Sequence, residues 1–548
     1  MLFDPLSIRA QEEIEVDLFA GGGGASQGIV QALGRDPVAA VNHDRYAVAI
    51  HKANHPASTH YIQDVFNVDP SFVTQGRPLG MLWLSPDCTH HSLAKGSAPT
   101  RDAKIRDLAM VASDKWFPMV KPRVMILENV QELLDWGPLN SKGEIVEACK
   151  GDSWRMFVRR VKRHGYRIDW RVLIASDYGA PTIRERLFVI ARCDDQPIVW
   201  PEPTHGDPAS DAVKEGRLLP WRTAAECIDW SLPCPSIFET SAEIKRKLGV
   251  YAKRPLADKT LRRIATGVQR YVIDTDDPFI LYPHHVGASL DAASRLPGLE
   301  MAHADALPQG SGVAPLFVGA GGPTYGAKPV AANAPMKTIL TENHRALVSS
   351  IMAPYGNRSQ QCASFLSTFN TRSVGQNLSA PMATATTKSH HALTSGCLVK
   401  LRGTCRDGQD ARAPLPTITA GGTHIAEVRA MMVRYYSSGG QLSSASAPMR
   451  TATTKGRMGI VTCAIGGDHY ALVDICMRML KPRELARGQG FPDSYILDPV
   501  VDGKPLTQTR QIKMIGNSVC PDMAEALIRA NYTPAMARPA YAKMAMAA

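Results

Sequence analysis

The sequence lacks several features that would assign it at once to a common functional class. Its 11 cysteines are odd in number and include no C-x-x-C pair, which argues against a zinc site and a thioredoxin-type redox centre. The start at Met1 shows no basic segment followed by an apolar one, and no run approaches the roughly 18 apolar residues of a membrane span. We therefore expect a soluble, cytoplasmic protein with no metal and no membrane partner.

Two phosphate-binding signatures are missing as well. The stretch "AGGGGASQG" follows a predicted strand, "IEVDLF", but in both registers the third glycine of G-x-G-x-x-G is replaced, by Ser26 or by Gln27, and no G-K-[ST] follows. These absences disfavour a nicotinamide oxidoreductase and a P-loop nucleotidase. A glycine turn after a strand still lets the backbone approach a ligand closely, so an adenosine-type ligand that lacks a pyrophosphate remains a candidate for this site.

Before residue 200, the sequence alternates short apolar runs with helical segments. The runs "VAAVNHD", "LGMLWLS", "PRVMILENV", "RVLIASDYGAP" and "RLFVIARC" predict strands, and "RYAVAIHKAN" and the region near 105 to 120 predict helices. Continuous apolar runs are typical of strands that are covered on both faces. We predict an α/β fold, an open Rossmann-like sheet with its ligand site at the carboxyl ends of the strands.

Positive charge exceeds negative charge along the chain. Lys and Arg number 62 against 51 Asp and Glu, a formal net charge of +11, which favours a polyanionic partner. Residues 238 to 272 carry nine basic and three acidic residues in a helical pattern. This segment is either a solvated helical surface or a surface that faces DNA.

From about 280 to 465 the chain is rich in Gly, Pro, Ser, Thr and Ala and contains a repeat. Four related units have prolines that are spaced 46, 33 and 34 residues apart, namely Pro335, Pro381, Pro414 and Pro448. Each unit runs from a proline turn through threonines and a polar loop into an apolar strand, which predicts tandem β-hairpins. A basic or imidazole side chain recurs six or seven places after the first shared threonine, as His344, His390, His424 and Arg457. The loops are either scaffold or the lining of a nucleic-acid groove.

Two potentially reactive side chains follow neighbouring apolar runs. Cys88 ends the stretch "LWLSPDC", where a thiolate would be accessible, although a lone cysteine is also commonly a buried apolar residue. Glu128 ends the next run, where a partly desolvated carboxyl group can act as a general acid. Because the carboxyl ends of neighbouring parallel strands open into one crevice, we expect these two residues to share a site.

Further polar residues are candidates for contact with the adenosine-type ligand. Asn42 stands where a carboxylate usually binds the ribose hydroxyls, whereas the nearby Asp44 is a candidate helix start. Asp64, in "IQDV", either accepts from an adenine amino group or is a plain turn residue. A thiol nucleophile, an acid and an adenosine-type donor together favour methyl transfer to C5 of a pyrimidine that has left the duplex stack.

Six motifs, taken in order, make the sequence resemble the DNA cytosine-5 methyltransferases that use S-adenosylmethionine. They are "DLFAGGGGASQG", "SPDCTHHS", "ENV", "APTIRERLFVIA", "KPRELARGQGFPDSY" and "QIKMIGNSVCPDMAEAL". Together they cover residues 16 to about 195 and 478 to 530. The sequence departs from the family pattern at Asp87, where proline usually precedes the cysteine, at Asn42 in place of the ribose-binding acid, and at Thr182 in place of a glutamine.

The resemblance implies roles for particular residues. Cys88 is implied as the nucleophile at C6 of a flipped cytosine, and Glu128 as the group at N3. Arg184 and Arg186 are implied as supports of the flipped base and of the catalytic loop. The positions implied around the methyl donor are Phe19, Gly21, Gly23, Asn42, Asp64, Asn517 and Val519.

The resemblance also implies a layout and partners. Residues 10–225 would form the first part of the catalytic domain, 226–470 the basic segment with the repeat-containing target-recognition region, 471–535 the return to the catalytic domain, and 536–548 a C-terminal tail. The implied partner is double-stranded DNA, and a cognate restriction endonuclease is a further candidate. We expect a monomer from a prokaryotic cell or a phage.

Two alternatives stay open: a tRNA cytosine-5 methyltransferase, and a DNA-binding homologue without catalysis. The adenine-N6 signature [DNS]-P-P-[YFW] is missing, which disfavours adenine methylation.

Overall fold

The computed structural model describes residues 11–87, 109–138, 140–141, 145–229, 231–268, 312–319, 329–336, 345–354, 363–368, 376–377, 391–400, 425–428, 432–434, 442–443, 458–460, 462–465 and 468–537. The chain divides into two compact units. The first comprises Met1–Cys227, Ala334–Asn343 and Lys481–Ala548, and the second comprises Ile228–Asn333 and His344–Leu480.

The first unit begins with a sheet and its flanking helices. Its strands up to Cys227 are β1 (Gln11–Glu12), β2 (Ile14–Leu18), β3 (Ala39–Val41), β4 (Thr59–Tyr61), β5 (Leu79–Leu84), β6 (Val124–Asn129), β7 (Arg167–Ile174), β8 (Glu185–Arg192), β9 (His205–Gly206) and β10 (Leu219–Pro220). Its α-helices are α1 (Gly24–Leu33), α2 (Arg45–Asn54), α3 (Pro70–Thr74), α4 (Phe117–Val120), α5 (Asp152–Arg163) and α6 (Asp211–Lys214). Shorter or irregular helical turns lie at Ala112–Trp116, Gln131–Asp135, Glu147–Cys149, Ala175–Tyr178 and Ala224–Cys227.

The second unit is mostly strands in its described part. Two helices come first, α7 (Ser241–Leu248) and α8 (Asp258–Val268). The strands are β11 (Gly312–Gly319), β12 (Val330–Ala331), β13 (Arg345–Pro354), β14 (Ala363–Thr368), β15 (Gln376–Asn377), β16 (His391–Lys400), β17 (Ile425–Val428), β18 (Met432–Arg434), β19 (Leu442–Ser443), β20 (Met458–Ile460), β21 (Thr462–Ile465) and β22 (Asp468–Met479). The chain then re-enters the first unit through α9 (Pro482–Gly488), β23 (Val500–Val501), β24 (Lys504–Pro505), α10 (Gln508–Asn517), α11 (Pro521–Asn531) and β25 (Met536–Ala537).

The predicted α/β Rossmann-like sheet is confirmed. Its strand order is β4-β3-β2-β5-β6-β8-β7, and the pairs from β4 to β6 are parallel. β8 runs antiparallel to both of its neighbours. The reason lies in the connection from β7 to β8, which spans only residues 175–184: a helical turn, Ala175–Tyr178, Gly179 at a φ of 94°, and the short stretch 180–184. Such a link reverses the chain but is too short for the crossover that a parallel pair requires.

Both faces of the sheet are buried at its central strands, as the continuous apolar runs predict, whereas the edge strands β4 and β7 are partly exposed. Along β5, Leu82 and Leu84 pack into the core on one face, while Met81 and Trp83 pack into the core on the other. Alternate residues of a strand point to opposite faces, so a strand covered on both sides is apolar at most positions; β2 is an exception, because Glu15 and Asp17 are buried within it. The register sets Leu84 of β5 beside Leu127 of β6, so these two strands end at the same edge.

The C-terminal part of the chain completes the first unit. Gly28 of α1 lies so close to α11 that a Cβ there would be 2.4 Å from the Cβ of Ala524. β1 pairs with β25 in antiparallel register, Gln11 with Ala537 and Glu12 with Met536. Arg123 reinforces this closure, because its guanidinium bonds the Glu13 carboxylate at 2.6 Å and the Thr533 carbonyl oxygen at 2.7 Å.

The second unit contains the predicted basic helices and the predicted repeat strands. α7 starts at a capping box between Thr240 and Glu243, and its last turn carries Lys245, Arg246 and Lys247. The strand predicted for each repeat is present, namely β13, β16, β17 and β20. β13 is central in the sheet β12-β11-β13-β22-β21. The side chains His344, His390, His424 and Arg457 lie outside the described residues.

Candidate active site

The glycine loop, residues 19–24, leads from the carboxyl end of β2 into α1. Phe19, Gly21 and Gly23 have φ angles of 61°, 52° and 89°, which all lie in the left-handed region. Glycine adopts that region without strain, whereas phenylalanine does not, and such strain is frequent where a turn contacts a ligand. Among the described atoms, a Cβ on Gly21 would meet only the Phe19 carbonyl oxygen, at 3.7 Å. Three of the positions that are predicted to contact the methyl donor therefore lie on one turn, and this turn is open at Gly21.

The N-terminus of α1 has no side-chain cap from its N-cap residue, although the Ser26 hydroxyl in its first turn donates to the buried Asp17 carboxylate. The N-cap is Gly23, and the first turn of the helix contains no acidic residue. The first N–H groups of a helix have no partner within the helix and favour an anionic group. This end of α1 can therefore accept the carboxylate of an amino-acid ligand.

The inner side of the glycine loop is tightly packed. A Cβ on Gly23 would lie 2.2 Å from the Tyr495 hydroxyl oxygen, and a Cβ on Gly24 would lie 2.1 Å from the Val519 carbonyl oxygen. Val519, which is predicted to contact the methyl donor, is itself buried, with 4% of its surface exposed. These glycines are needed for packing against the C-terminal part of the chain as well as for ligand approach.

The residues at the next strand ends have local partners. The Asn42 Oδ1 atom accepts from the Asp44 amide at 2.8 Å, and Asp44 caps α2 by accepting from the Tyr46 amide at 2.9 Å. The structure thus supports the helix-start role for Asp44. Asp64 is exposed and accepts from the Phe66 amide at 3.0 Å, a turn arrangement that leaves its second carboxylate oxygen to other partners.

The segment after α10 is anchored below the glycine loop. Ser518 donates to the Met514 carbonyl oxygen at 2.8 Å, and its own carbonyl oxygen accepts from the Gln489 side chain at 2.8 Å. Asn517 at the end of α10 is exposed. The structure thus places buried Val519 and exposed Asn517 on one anchored turn.

Glu128 lies at the end of β6 and has a cationic neighbour. One of its carboxylate oxygens is 3.2 Å from the Nε atom of Arg186, and their side chains are 8% and 14% exposed. Arg186 projects from β8, the antiparallel neighbour of β6. The mostly buried guanidinium of Arg186 therefore orients the Glu128 carboxylate at the edge of the sheet where the parallel strands end.

Asn129 ties the two predicted catalytic segments together. Its side-chain amide donates to the Pro86 carbonyl oxygen at 3.0 Å, and its Oδ1 atom accepts from the Val130 amide at 2.9 Å. Pro86 belongs to the motif that contains Cys88, and Asn129 directly follows Glu128. Cys88 itself lies outside the described residues. The backbone that leads to it is held beside the glutamate.

Arg184 links two other motifs. Its guanidinium donates to the Gly516 carbonyl oxygen at 3.1 Å, and the side chain is 3% exposed. This bond joins the strand that carries Arg186 to the turn that carries Asn517. In the described structure Arg184 therefore supports the backbone, while Arg186 reaches the carboxylate.

The sequence interpretation missed a buried polar network below the glycine loop. One chain of hydrogen bonds runs from His60 to His51 at 2.8 Å, from His51 to Ser26 at 2.8 Å, and from Ser26 to the Asp17 carboxylate at 2.7 Å. A second group joins Asp36, His55 and Tyr495. The one available signal was the spacing of His51 and His55, four residues apart along one side of a helix.

Burial sets the protonation states in this network. It raises the pKa of the Asp17 carboxyl to about 7, against the opposing effect of the Ser26 hydrogen bond. Burial also lowers the pKa of His51 and of His55, although Asp36 acts in the opposite direction on His55. Burial, with the charges of Asp17 and Asp36, raises the pKa of Tyr495, so its hydroxyl remains a donor.

Comparison with known proteins identifies related sequences. The family model described as C-5 cytosine-specific DNA methylase matches residues 15–218 and 382–532. The Type II methyltransferase M.AquIA of Picosynechococcus sp. is 25% identical over 225 residues, which are 39% of this chain and 86% of that protein. M.NlaX of Neisseria lactamica is 30% identical over 34% of this chain and 55% of its own, and M.XorII of Xanthomonas oryzae pv. oryzae is 29% identical over 36% and 45%. The chain thus spans about half the length of the latter two relatives.

Solved structures include two more distant likenesses. The Entamoeba histolytica methyltransferase EhMeth and the S. pombe Dnmt2 methyltransferase are each 11% identical to this chain with a TM-score of 0.38. The matches cover 98% and 97% of those two chains, respectively, and 95% and 94% of this chain. A likeness at this level supports no conclusion about this chain.

Among the helices in the described part of this chain, none has the length and the apolar character that a membrane span requires.

Proposed function

Because this chain belongs to the C-5 cytosine-specific DNA methylase family, we propose that it transfers a methyl group from S-adenosylmethionine to C5 of cytosine in double-stranded DNA. The predicted family and the predicted enzyme class, a DNA cytosine methyltransferase, are confirmed by that membership. The observation that carries the proposed mechanism is the hydrogen bond from Asn129 to Pro86, with Glu128 next to Asn129. It holds the backbone before Cys88 beside the carboxylate.

The proposed reaction uses Cys88 and Glu128 on one flipped cytosine. The Cys88 thiolate adds to C6 while Glu128 supplies a proton or a hydrogen bond at N3, which makes the electron pair of the C5–C6 double bond available at C5. S-adenosylmethionine, when bound, supplies the methyl group that C5 acquires. A base then takes the C5 proton, the C5–C6 double bond re-forms, and the Cys88 thiolate is expelled from C6. Any proton that N3 received returns to Glu128.

Arg184 and Arg186 have separate parts in this proposal. Arg186 holds one Glu128 oxygen at 3.2 Å, which orients the carboxyl group toward the base. Arg184 anchors the Gly516 carbonyl oxygen at 3.1 Å and so supports the turn beside the donor. A lysine at 186 would keep the charge but lose the planar geometry that orients a carboxylate.

The features of the first unit fit the methyl donor. The glycine loop, with Phe19, Gly21 and Gly23 on one turn, is open at Gly21 and offers space there for backbone approach, and the start of α1, whose N-cap Gly23 has no side chain, suits the donor's carboxylate. We propose that Asn42 and Asp64, at the ends of β3 and β4, contact the ribose and the adenine. Asn517 and Val519 complete the pocket from the turn after α10.

The second unit has the composition expected of a target-recognition region. We propose that residues 10–225 and 471–535 form the catalytic domain, that residues 226–470 read the DNA sequence, and that 536–548 form a tail. Basic side chains on α7 and before the repeat strands would contact phosphates, which adds affinity without sequence information. The protein would act as a cytoplasmic monomer, with a restriction endonuclease of the same specificity as a candidate partner.

The test of the proposed function uses the full chain, labelled S-adenosylmethionine and duplex DNA. We expect label in the DNA, and a covalent adduct with a duplex that carries 5-fluorocytosine, because that base has no C5 proton to lose. Cys88→Ser abolishes both, since a hydroxyl is a far weaker nucleophile than a thiolate. Cys149→Ser, at a partly exposed free cysteine, is the matched control.

Each other outcome has a defined meaning. Preferential labelling of tRNA in competition with duplex DNA would replace the proposed substrate. Absence of both label and adduct with the wild-type chain would identify a DNA-binding homologue without catalysis. Normal turnover by Cys88→Ser would overturn the assignment of the nucleophile.

The role of the repeats is tested by exchange. We expect that replacing residues 334–350 or 380–396 by another unit of the repeat changes which cytosines are methylated, as mapped by sequencing the modified DNA. An unchanged set of sites would make the repeats a scaffold.

A further inference from the structure

Tyr495 supports the glycine loop from its inner side. Its hydroxyl donates to the Gly22 carbonyl oxygen at 2.6 Å, and the side chain is 2% exposed. The same hydroxyl oxygen occupies the place next to Gly23 where a side chain would begin, 2.2 Å from the position of a Cβ. One phenol therefore contacts two successive residues of the loop.

Two further side chains hold this phenol in place. The His55 Nε2 atom is 3.3 Å from the Tyr495 hydroxyl oxygen, and the His55 Nδ1 atom is 2.9 Å from the Asp36 carboxylate. Asp36 also accepts from the Ala57 amide at 3.1 Å. The imidazole is fully buried, and Phe491 packs against the phenol with ring centroids 4.6 Å apart. The tyrosine ring thus has little freedom to move.

The protons in this group can be assigned from its partners. Burial keeps His55 neutral by lowering its pKa, and the carboxylate of Asp36 draws the single imidazole proton to Nδ1. With the imidazole proton on Nδ1, the Nε2 atom cannot donate to the phenol, so its 3.3 Å approach is a packing contact once Tyr495 gives its single proton elsewhere. The shorter contact, to Gly22, takes that proton. The neighbouring ionisable groups are Asp17, His51 and His60, none of which bonds the phenol among the described contacts.

We infer that Tyr495 is a positioning residue for the methyl-donor site: its hydroxyl, backed by His55 and Asp36, fixes the Gly22–Gly23 peptide before the donor binds. This inference rests on the proposed function. The phenol lies on the inner side of the loop and the donor on the side that is open at Gly21, so the tyrosine acts through the backbone. A glycine loop that is already ordered loses less conformational entropy when the methyl donor binds. Removing the support of Tyr495 should therefore weaken the affinity for the donor more than it slows the chemical step.

The experiment compares Tyr495→Phe with a matched control, Tyr166→Phe. Tyr166 is also buried, at 4% exposure, and also donates its hydroxyl to a backbone carbonyl oxygen at 2.6 Å, that of Pro122. Pro122 precedes β6, at the opposite edge of the sheet from the glycine loop. Both variants therefore lose the same kind of bond, but only one loses it at the loop.

The first measurement is hydrogen exchange of the ligand-free chain. We expect faster exchange at residues 20–24 in Tyr495→Phe and wild-type exchange there in Tyr166→Phe. The second is the dissociation constant of S-adenosylhomocysteine, the demethylated donor. We expect an increase of about tenfold in Tyr495→Phe, equal to about 1.4 kcal/mol, and less than twofold in the control. With saturating donor, kcat on duplex DNA stays within about twofold of wild type while the donor KM rises.

The outcomes separate this inference from the proposed function. Unchanged loop exchange and unchanged affinity in Tyr495→Phe, or equal effects in both variants, would overturn the positioning role. A wild-type chain that binds the demethylated donor but transfers no label contradicts the proposed function and leaves the binding comparison valid. A wild-type chain that binds no donor overturns both. If Tyr495→Phe does not fold, His55→Gln keeps the phenol but removes the imidazole that packs against its hydroxyl at 3.3 Å, and a twofold or greater rise in the dissociation constant is expected.

Discussion

Asp17→Asn should make the stability of this protein less dependent on pH. The Asp17 carboxyl lies in β2, fully buried, and burial raises its pKa from 3.8 to about 7. The native state therefore keeps a proton that the unfolded chain releases near pH 4. Stability from this group is fully present below the unfolded pKa and is lost as the pH rises through about 7.

The size of the effect follows from the shift in pKa. Each pKa unit corresponds to about 1.4 kcal/mol, so the full cost of ionising Asp17 in the folded state is about 4 kcal/mol. Between pH 5.5 and pH 8 the wild-type chain should lose about 2 kcal/mol of that. Asparagine does not ionise and can still accept the Ser26 hydrogen bond, which is 2.7 Å long in the wild type. Any constant cost of the buried amide cancels when the two pH values are compared.

The assay is urea unfolding of the full chain at both pH values. The stability of Asp17→Asn relative to wild type should rise by about 2 kcal/mol from pH 5.5 to pH 8. Asp498→Asn, at an exposed carboxylate, should show no such change. An identical difference between Asp17→Asn and wild type at the two pH values would refute the reasoning.

Three other substitutions test contacts around the site. Gly24→Ala should lower stability by about 1–3 kcal/mol, because the new Cβ would lie 2.1 Å from the Val519 carbonyl oxygen; an unchanged thermal midpoint would contradict this packing. Arg123→Met should cost about 3 kcal/mol in thermal unfolding by leaving the Glu13 carboxylate, 5% exposed, without its 2.6 Å partner. Asn129→Ala should lower kcat for methyl transfer about tenfold or more with a stability change near 1 kcal/mol, and a wild-type kcat would show that its backbone tie is dispensable.

The buried strands were predictable from sequence because most of their residues form apolar runs, although β2 carries Glu15 and Asp17 and the edge strands β4 and β7 carry polar residues and are partly exposed. The run "LGMLWLS" became β5, and "RYAVAIHKAN" became α2 with the same bounds. The antiparallel direction of β8 was not predictable from apolar runs, since it depends on the length of the link that contains Gly179. The apolar pattern of a strand indicates which of its residues are buried, whereas the length of the connection between two strands decides whether they run parallel or antiparallel.

The site was predictable only in part. Motif order placed Glu128 and the glycine loop at one edge, as the structure shows, and left Cys88 as a prediction outside the described residues. The contacts of Asn129 and Tyr495 could not be read from spacing, because each joins positions far apart in sequence, such as Tyr495 and Gly22. Such pairs are set by tertiary packing, and local patterns contain no information about them.

The pairing of β1 with β25 has a consequence for how the protein is made. Strands β1 to β8 leave the ribosome long before α11, yet α11 covers one face of α1 and of the sheet. Until residue 537 has been synthesised, the nascent first unit exposes the apolar surface around Ile29 and Trp83 that α11 later buries. Late-forming, distant contacts of this kind slow folding and expose the chain to aggregation, so the protein should depend on chaperones during translation.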